Sequence, residues 1–125
     1  MIVTTRAVRV FVYAQPCDMR KQHDSLAALV REAMGHELLG GDHFVFVGRT
    51  RTRAKILYFD GTGVCMLWKR LDRGHFAKLW RPDAAQGVTL THAELTLFLE
   101  GSELVGRVAL SPPAVSYDDR VVVFR

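Results

Sequence analysis

Hydrophobic positions recur with two different periods in the first third of the chain. From Val8 to Tyr13, valines occupy every second position, which predicts a β-strand with one strongly apolar face. From Met19 to Met34 the apolar positions recur at helical spacing, and Asp18 is placed to act as the N-cap. We therefore expect a strand followed by an amphipathic helix that ends at Gly35.

Three short apolar runs in the middle of the chain predict an antiparallel meander. They span residues 44–47, 54–59 and 64–68, and they are short and rich in β-branched and aromatic side chains. The sequence Asp60-Gly61-Thr62-Gly63 predicts a tight turn between the last two runs. In a meander the first loop and the end of the third strand lie at the same edge. Side chains from residues 48–53 and 69–73 should therefore meet there.

The second half of the chain contains two further helix predictions. The segment His75 to Trp80 predicts a helical turn, which Pro82 should end. The spacing Thr91-x-x-Glu94 is that of a capping box and predicts a short helix before Gly101. The apolar runs 105–110 and 121–124 predict edge strands from weaker patterns.

Together these elements predict a single α+β domain. We expect an antiparallel sheet of about four to six strands, packed against one main helix and a second short helix. The first 101 residues should form the domain proper, and residues 102–125 a divergent C-terminal extension. With 125 residues, 49% of them hydrophobic, the chain suits one compact core.

Composition narrows the setting in which the protein works. The chain contains no apolar run of membrane-spanning length and does not begin like a secretory signal, so we expect a cytoplasmic protein without a membrane partner. Cys17 and Cys65 lie far apart, without metal-type spacing. The five histidines are scattered along the chain. We therefore expect reduced thiols, no metal and no cofactor.

Positive charge is concentrated in the middle of the chain. From Arg49 through Arg81 there are nine basic and two acidic residues, a net charge of +7, while the rest of the chain carries −3. Because burying a cation is costly, most of these side chains should face water or an anionic partner. A nucleic-acid backbone is the leading candidate.

We expect these cations to form one basic rim that contacts phosphate groups, which guanidinium groups suit well. The predicted contact residues are Arg49, Arg51, Arg53, Lys55, Lys69, Arg70 and Arg73. Arg20 and Lys21, in the first turn of the predicted helix, are candidates for an additional anion contact. Trp68, Phe76 and Trp80 lie among the cations and could stack on unpaired bases, but such aromatic residues more often belong to the core.

Five segments, in this order, resemble one protein family. They are Asp18 to Lys21, Leu26 to Val30, Phe44 to Arg49, Lys55 to Gly63 and Lys69 to Phe76. In them the chain resembles the TnpB accessory proteins, the second reading-frame products of IS66-type bacterial insertion sequences. The resemblance extends to Gly101 and implies a protein encoded beside a larger DDE-type transposase and needed for efficient transposition. This chain departs from the family pattern at Phe59, where the family usually has Trp, and at Gln22-His23, where it usually has Gly-Phe.

Charge and resemblance together predict a non-catalytic accessory protein of transposition. It would bind DNA backbone through the basic rim and assist the transposase of the same element. If six cations engage phosphates, the slope of log affinity against log salt should be about −5.

Two other hypotheses remain open. The protein could be an adaptor that docks on the transposase without contacting DNA. It could also be a metal-dependent nuclease, which would require three converging carboxylates. The candidate carboxylates are Asp18, Asp60, Asp72 and Glu94, and each also has a turn, capping or ion-pair explanation.

Overall fold

The computed structural model of the protein describes residues 8–81, 83 and 87–102. The strands are β1 (Val10–Val12), β2 (His43–Val47), β3 (Arg53–Phe59), β4 (Val64–Arg70) and β5 (Val88–Leu90), and the α-helices are α1 (His23–Ala28) and α2 (His92–Leu99). Helix α1 continues as a π-helical stretch, Leu29–Ala33, and a 3-10 turn, Leu38–Gly40, precedes β2.

The five strands form one sheet in the order β4-β3-β2-β1-β5. Strands β2, β3 and β4 are consecutive and antiparallel, so the predicted meander is confirmed. Strand β1 pairs with β2 in parallel and with β5 in antiparallel orientation. A parallel pair requires a crossover connection, which the segment containing α1 supplies. The α+β class and the strand number are confirmed, and the sheet is mixed rather than wholly antiparallel.

Alternate side chains of the central strands point to opposite sides of the sheet. Each of the two faces packs against other parts of the chain. On the first face, β2 and β3 side chains pack against α1 and its π-helical continuation through Leu26, Val30 and Met34. We call this the α1 face. On the second face, β2 and β3 pack against Phe76 and against Phe98 of α2. We call this the α2 face.

The first helix begins later than the sequence predicted. The Asp18 carboxylate accepts the backbone N–H of Arg20 at 2.9 Å, and the N–H of Lys21 donates to the carbonyl of Asp18 at 3.1 Å. These bonds close a turn, because a short Asp side chain can satisfy neighbouring backbone groups locally. Helix α1 begins only after Gln22, whose N–H donates to Ser25 Oγ at 3.1 Å. The placement of Arg20 and Lys21 in the first helical turn is therefore wrong.

The predicted helical turn at residues 75–80 is also wrong. This segment, which we call the strap, has no regular secondary structure. The N–H of Phe76 donates to the carbonyl of Arg51 at 2.7 Å, and Phe76, Ala77 and Leu79 are buried. The strap is therefore held by contacts across the chain, which outweigh its weak local helix preference.

Two predictions that rest on specific side chains, the capping box of α2 and the turn at Asp60, are confirmed. Thr91 Oγ1 accepts the N–H of Glu94 at 3.1 Å, and Glu94 Oε1 accepts the N–H of Thr91 at 2.8 Å. Asp60 Oδ1 accepts the N–H groups of Thr62 and Gly63, each at 2.9 Å. The predicted strands at 105–110 and 121–124 lie outside the described residues, and the division of the chain at residue 101 stays a prediction. Within the described ranges, no helix has the length and apolar character needed to cross a membrane.

Candidate nucleic-acid interface

Two loops on the α1 side of the sheet are held together by an extension of the β1–β2 pairing. Beyond the strands, the N–H of Tyr13 donates to the carbonyl of Val45 at 2.8 Å, and that of Cys17 to the carbonyl of Val47 at 2.9 Å. Cys17 and Gly48 then form an isolated parallel bridge. The loop after β1 therefore lies beside the loop between β2 and β3.

An open groove of about 820 Å³ lies at these loops, lined by residues 16–20, 22 and 48–50 together with Arg53 and Trp68. A smaller cavity of about 320 Å³ is lined by Arg53, Trp68 and Arg70. The two cavities share Arg53 and Trp68 and therefore lie next to each other. We call their combined lining the arginine groove, since it contains Arg20, Arg49, Arg53 and Arg70.

Strand register explains why two of these arginines lie together. Arg53 and Arg70 are direct cross-strand partners on β3 and β4, and the next pair on the same face is Lys55 and Trp68. Both arginines are exposed. Like charges directly opposite each other in a sheet are unfavourable. Across residues 8–81, 83 and 87–102, neither arginine has an ion-pair partner that would relieve this repulsion.

One carboxylate lies in the groove. Asp18 forms an ion pair with Arg20 at 2.8 Å and also accepts from its Nε at 3.0 Å. These hydrogen bonds hold the pKa of Asp18 well below its ordinary value of 3.8, so it is ionised throughout the physiological range. Arg20 is thus partly neutralised, whereas Arg49, Arg53 and Arg70 supply the excess positive charge.

Lys55, a predicted contact residue, lies inside the protein with 0% exposure. Its Nζ donates to the carbonyl of Lys21 at 2.6 Å and lies 4.9 Å from the centroid of the Trp68 ring. The ammonium group therefore joins β3 to the loop before α1 and supports the indole from within. Lys21 is half-buried, and its carbonyl takes part in this arrangement.

The remaining predicted cations are not among the residues lining the arginine groove. Arg51 donates from Nη1 to the carbonyl of Phe76 at 2.8 Å, which fixes the strap to the loop after β2. Lys69 is half-buried and pairs with Ala54, whose side chain belongs to the α2 face. Arg73 lies 3.9 Å from Asp72 in an exposed ion pair. The structure thus divides the predicted rim into a group in the groove and a group elsewhere.

Aromatic residues among the cations differ sharply in exposure. Phe76 is fully buried and Trp80 packs against the core, as expected for core residues. Trp68 is 57% exposed, so the expectation that it belongs to the core is wrong. The apolar run 64–68 does not alternate, which left the orientation of Trp68 open. Its exposure follows from the position of β4 at the end of the strand order.

Burial or local bonding accounts for Cys17 and for the candidate carboxylates Asp60, Asp72 and Glu94. Burial raises the pKa of Cys17 to about 11, so its thiol is neutral at physiological pH. Asp60 is held by its turn, Asp72 is paired with Arg73, and Glu94 caps α2. In the part of the chain that the structure describes, no three His, Cys, Asp or Glu side chains are grouped as metal ligands would be.

Comparison with known proteins identifies the family. The family model described as "IS66 Orf2 like protein" matches residues 8–108. Two similar proteins come from Sinorhizobium fredii (strain NBRC 101917 / NGR234). "Uncharacterized protein y4hO" is 36% identical over 101 residues, covering 81% of this chain and 86% of that protein. "Uncharacterized protein y4jC" is 32% identical over 101 residues, covering 81% of this chain and 85% of that protein. No solved structure matches.

The fold is a single α+β domain with a cationic groove on one face of a mixed sheet. The chain belongs to the IS66 Orf2-like family, the TnpB accessory proteins of insertion sequences. The resemblance noted in the sequence is thereby confirmed, and it connects the protein with transposition of an IS66-type element.

Proposed function

We propose that this protein is a non-catalytic accessory factor that binds nucleic-acid backbone through the arginine groove and assists the transposase of its element. Family membership supports the connection with transposition. The observation that carries the binding proposal is the convergence of Arg20, Arg49, Arg53 and Arg70, from separate parts of the chain, on one open groove. Guanidinium groups form bidentate, charge-assisted hydrogen bonds with phosphate oxygens, so several presented on one surface suit a phosphate backbone.

Two residues of the loop between β2 and β3, Thr50 and Gly48, also support this proposal. Thr50 also lines the groove, and its hydroxyl can donate to a phosphate oxygen. Gly48 lies beside it, and a Cβ at this position would come within 2.8 Å of Met19 Cγ. The absence of a side chain at Gly48 therefore leaves room where the two loops approach each other.

A double charge reversal, Arg49→Glu with Arg53→Glu, tests the proposal. Binding of labelled DNA, followed by fluorescence anisotropy over a salt series, should weaken at least about tenfold, because two phosphate contacts are replaced by repulsion. The matched control is Arg31→Glu with Lys78→Glu, which changes the net charge equally at two exposed positions that do not line the groove. Equal binding by the groove variant and the control would contradict the proposal, provided that both variants retain the far-ultraviolet circular dichroism of the wild type.

A second candidate function is that of an adaptor for the transposase. Strand β4 ends the sheet among the described residues, and it exposes Val64 at 36% and Leu67 at 47%. An edge strand with exposed apolar side chains can pair with a partner protein. In this case the protein should co-purify with the transposase after nuclease treatment without shifting labelled DNA, and Leu67→Asp should abolish that co-purification.

A further inference from the structure

Trp68 is an exposed aromatic side chain that lines the arginine groove. It contributes to both cavities, and 57% of its surface is exposed. Burial of an aromatic side chain stabilises a protein, and Trp68 forgoes part of that stabilisation. An exposed apolar residue alone needs no explanation. Its position among the arginines that line an open groove makes it a candidate contact residue.

The indole is held in place from within the protein. Lys55 is fully buried, and its ammonium group lies 4.9 Å from the ring centroid while donating to the carbonyl of Lys21 at 2.6 Å. A cation at this distance from an aromatic ring is attracted to it. Trp68 is therefore supported on the protein side, and the exposed remainder of the ring is available to a ligand at a small cost in side-chain entropy.

Two arginines lie beside the indole on the same face of the sheet. Arg70 follows Trp68 by two positions and therefore lies on the same face of β4, and Arg53 is its cross-strand partner. An exposed aromatic ring next to cations in one groove is an arrangement that proteins use for unpaired nucleotides, in which the base stacks on the ring and the backbone follows the cations. In a duplex the bases are already stacked and paired, so their faces cannot reach such a ring.

Charge argues against a second copy of this chain as the occupant. The groove contains four arginines and one aspartate, and that aspartate is already paired with Arg20. Two copies meeting at this surface would bring like charges together. A polyanion bound at this surface would instead bring opposite charges together.

We infer that the arginine groove takes single-stranded nucleic acid and that Trp68 stacks on an unpaired base. This inference rests on the proposed function, since it specifies which form of nucleic acid the same groove prefers.

The test compares a labelled oligothymidylate with a duplex of equal length. Trp68→Ala should weaken binding of the single strand by about tenfold or more, since one base–aromatic stacking contact is lost, and should leave duplex binding nearly unchanged. Trp68→Phe keeps a smaller ring, so its affinity for the single strand should lie between those of the wild type and Trp68→Ala. The matched control is Leu67→Ala, because Leu67 is the neighbouring exposed residue on the opposite face of β4 and should affect neither ligand.

Tryptophan fluorescence gives an independent readout. The chain has two tryptophans, so Trp68→Phe leaves Trp80 as the remaining one. Oligothymidylate should quench the emission of the wild type, and this quenching should disappear in Trp68→Phe.

Three results would overturn the inference. Equal loss of single-strand and duplex binding in Trp68→Ala would mean that Trp68 does not discriminate between them. Unchanged single-strand binding in Trp68→Ala would mean that no base stacks there, and the proposed backbone binding would still hold if Arg49→Glu with Arg53→Glu abolished it. Self-association that Trp68→Ala abolishes, without an effect on the oligothymidylate, would instead assign this surface to a second copy of the chain.

Discussion

At the scale of single residues, Lys55 shows that a lysine within a basic segment of the sequence can be buried in the folded protein. The sequence places it in the basic segment, where solvent exposure is the ordinary expectation for lysine. The structure buries it beneath Trp68 and satisfies its ammonium group with a carbonyl and an aromatic ring. Its role in the groove is therefore to support other residues.

Replacing Lys55 separates the contribution of its aliphatic stem from that of its charge. Lys55→Ala should lower the free energy of unfolding by about 2–5 kcal/mol, because it leaves a cavity in the α1 face. Lys55→Met keeps most of the volume and should cost less, since a buried cation can often be replaced by an apolar side chain of similar size. Urea denaturation of both variants measures the difference. Equal destabilisation would show that the charge, rather than the stem, stabilises this site.

Asp60 makes a pH-dependent contribution to stability. Four hydrogen bonds, first those from the N–H groups of Thr62 and Gly63, lower its pKa from 3.8 to about 2. Because the folded-state pKa is the lower one, the stabilisation is complete above pH 3.8 and is lost as the pH falls towards 2. Asp60→Ala should therefore lower the urea midpoint at neutral pH, and the difference from the wild type should shrink below pH 4. A difference that stays constant over this range would contradict the assignment.

At the scale of elements, the packing of β1 depends on one glycine before β5. Gly87 has φ +94°, and a Cβ there would lie 2.5 Å from the carbonyl oxygen of Val12. That atom belongs to the backbone, so it cannot move aside without displacing the strand. The absence of a side chain at Gly87 is therefore required for β1 and the segment before β5 to approach.

Gly87→Ala should destabilise the protein by about 1–3 kcal/mol, through both the positive φ and the clash with β1. Gly63→Ala is the matched control, because a Cβ at Gly63 would meet nothing within 4 Å and its φ is not in the left-handed region. Thermal unfolding followed by circular dichroism compares the two. A Gly87→Ala variant as stable as Gly63→Ala would mean that the strand shifts freely.

The capping box and the turn depend on local chemistry and were predicted correctly, whereas the strap depends on distant partners and was not. The capping box of α2 and the turn at Asp60 involve residues three positions apart or fewer, so their patterns are visible in the chain. The strap depends on a bond from Phe76 to Arg51 and on burial against the sheet, neither of which local sequence reveals. The late start of α1 follows because Asp18 accepts the N–H of Arg20 within a turn and does not cap a helix. The hydrophobic pattern does not distinguish these two roles of Asp18.

At the scale of the whole molecule, the number of arginines in the groove sets the salt dependence of binding. If Arg20, Arg49, Arg53 and Arg70 each displace a counterion, the slope of log affinity against log salt should be about −4 for duplex DNA and about −3 for a single strand. Adding Arg51, Lys69 and Arg73 to these four arginines would make seven cations and a slope near −6 for duplex DNA. Titrations at several salt concentrations distinguish these values. A slope near −6 would restore Arg51, Lys69 and Arg73 to the interface.

The sequence by itself determined the α+β class, the meander, the capped second helix, the family and the concentration of positive charge between Arg49 and Arg81. All of these depend on the order and spacing of neighbouring residues. Only the tertiary structure decided which cations share a surface, because each residue's face depends on strand register and on the position of β4 at the sheet edge. The same physical reason explains why Lys55 is buried while Trp68 is exposed, although they are direct partners on adjacent strands.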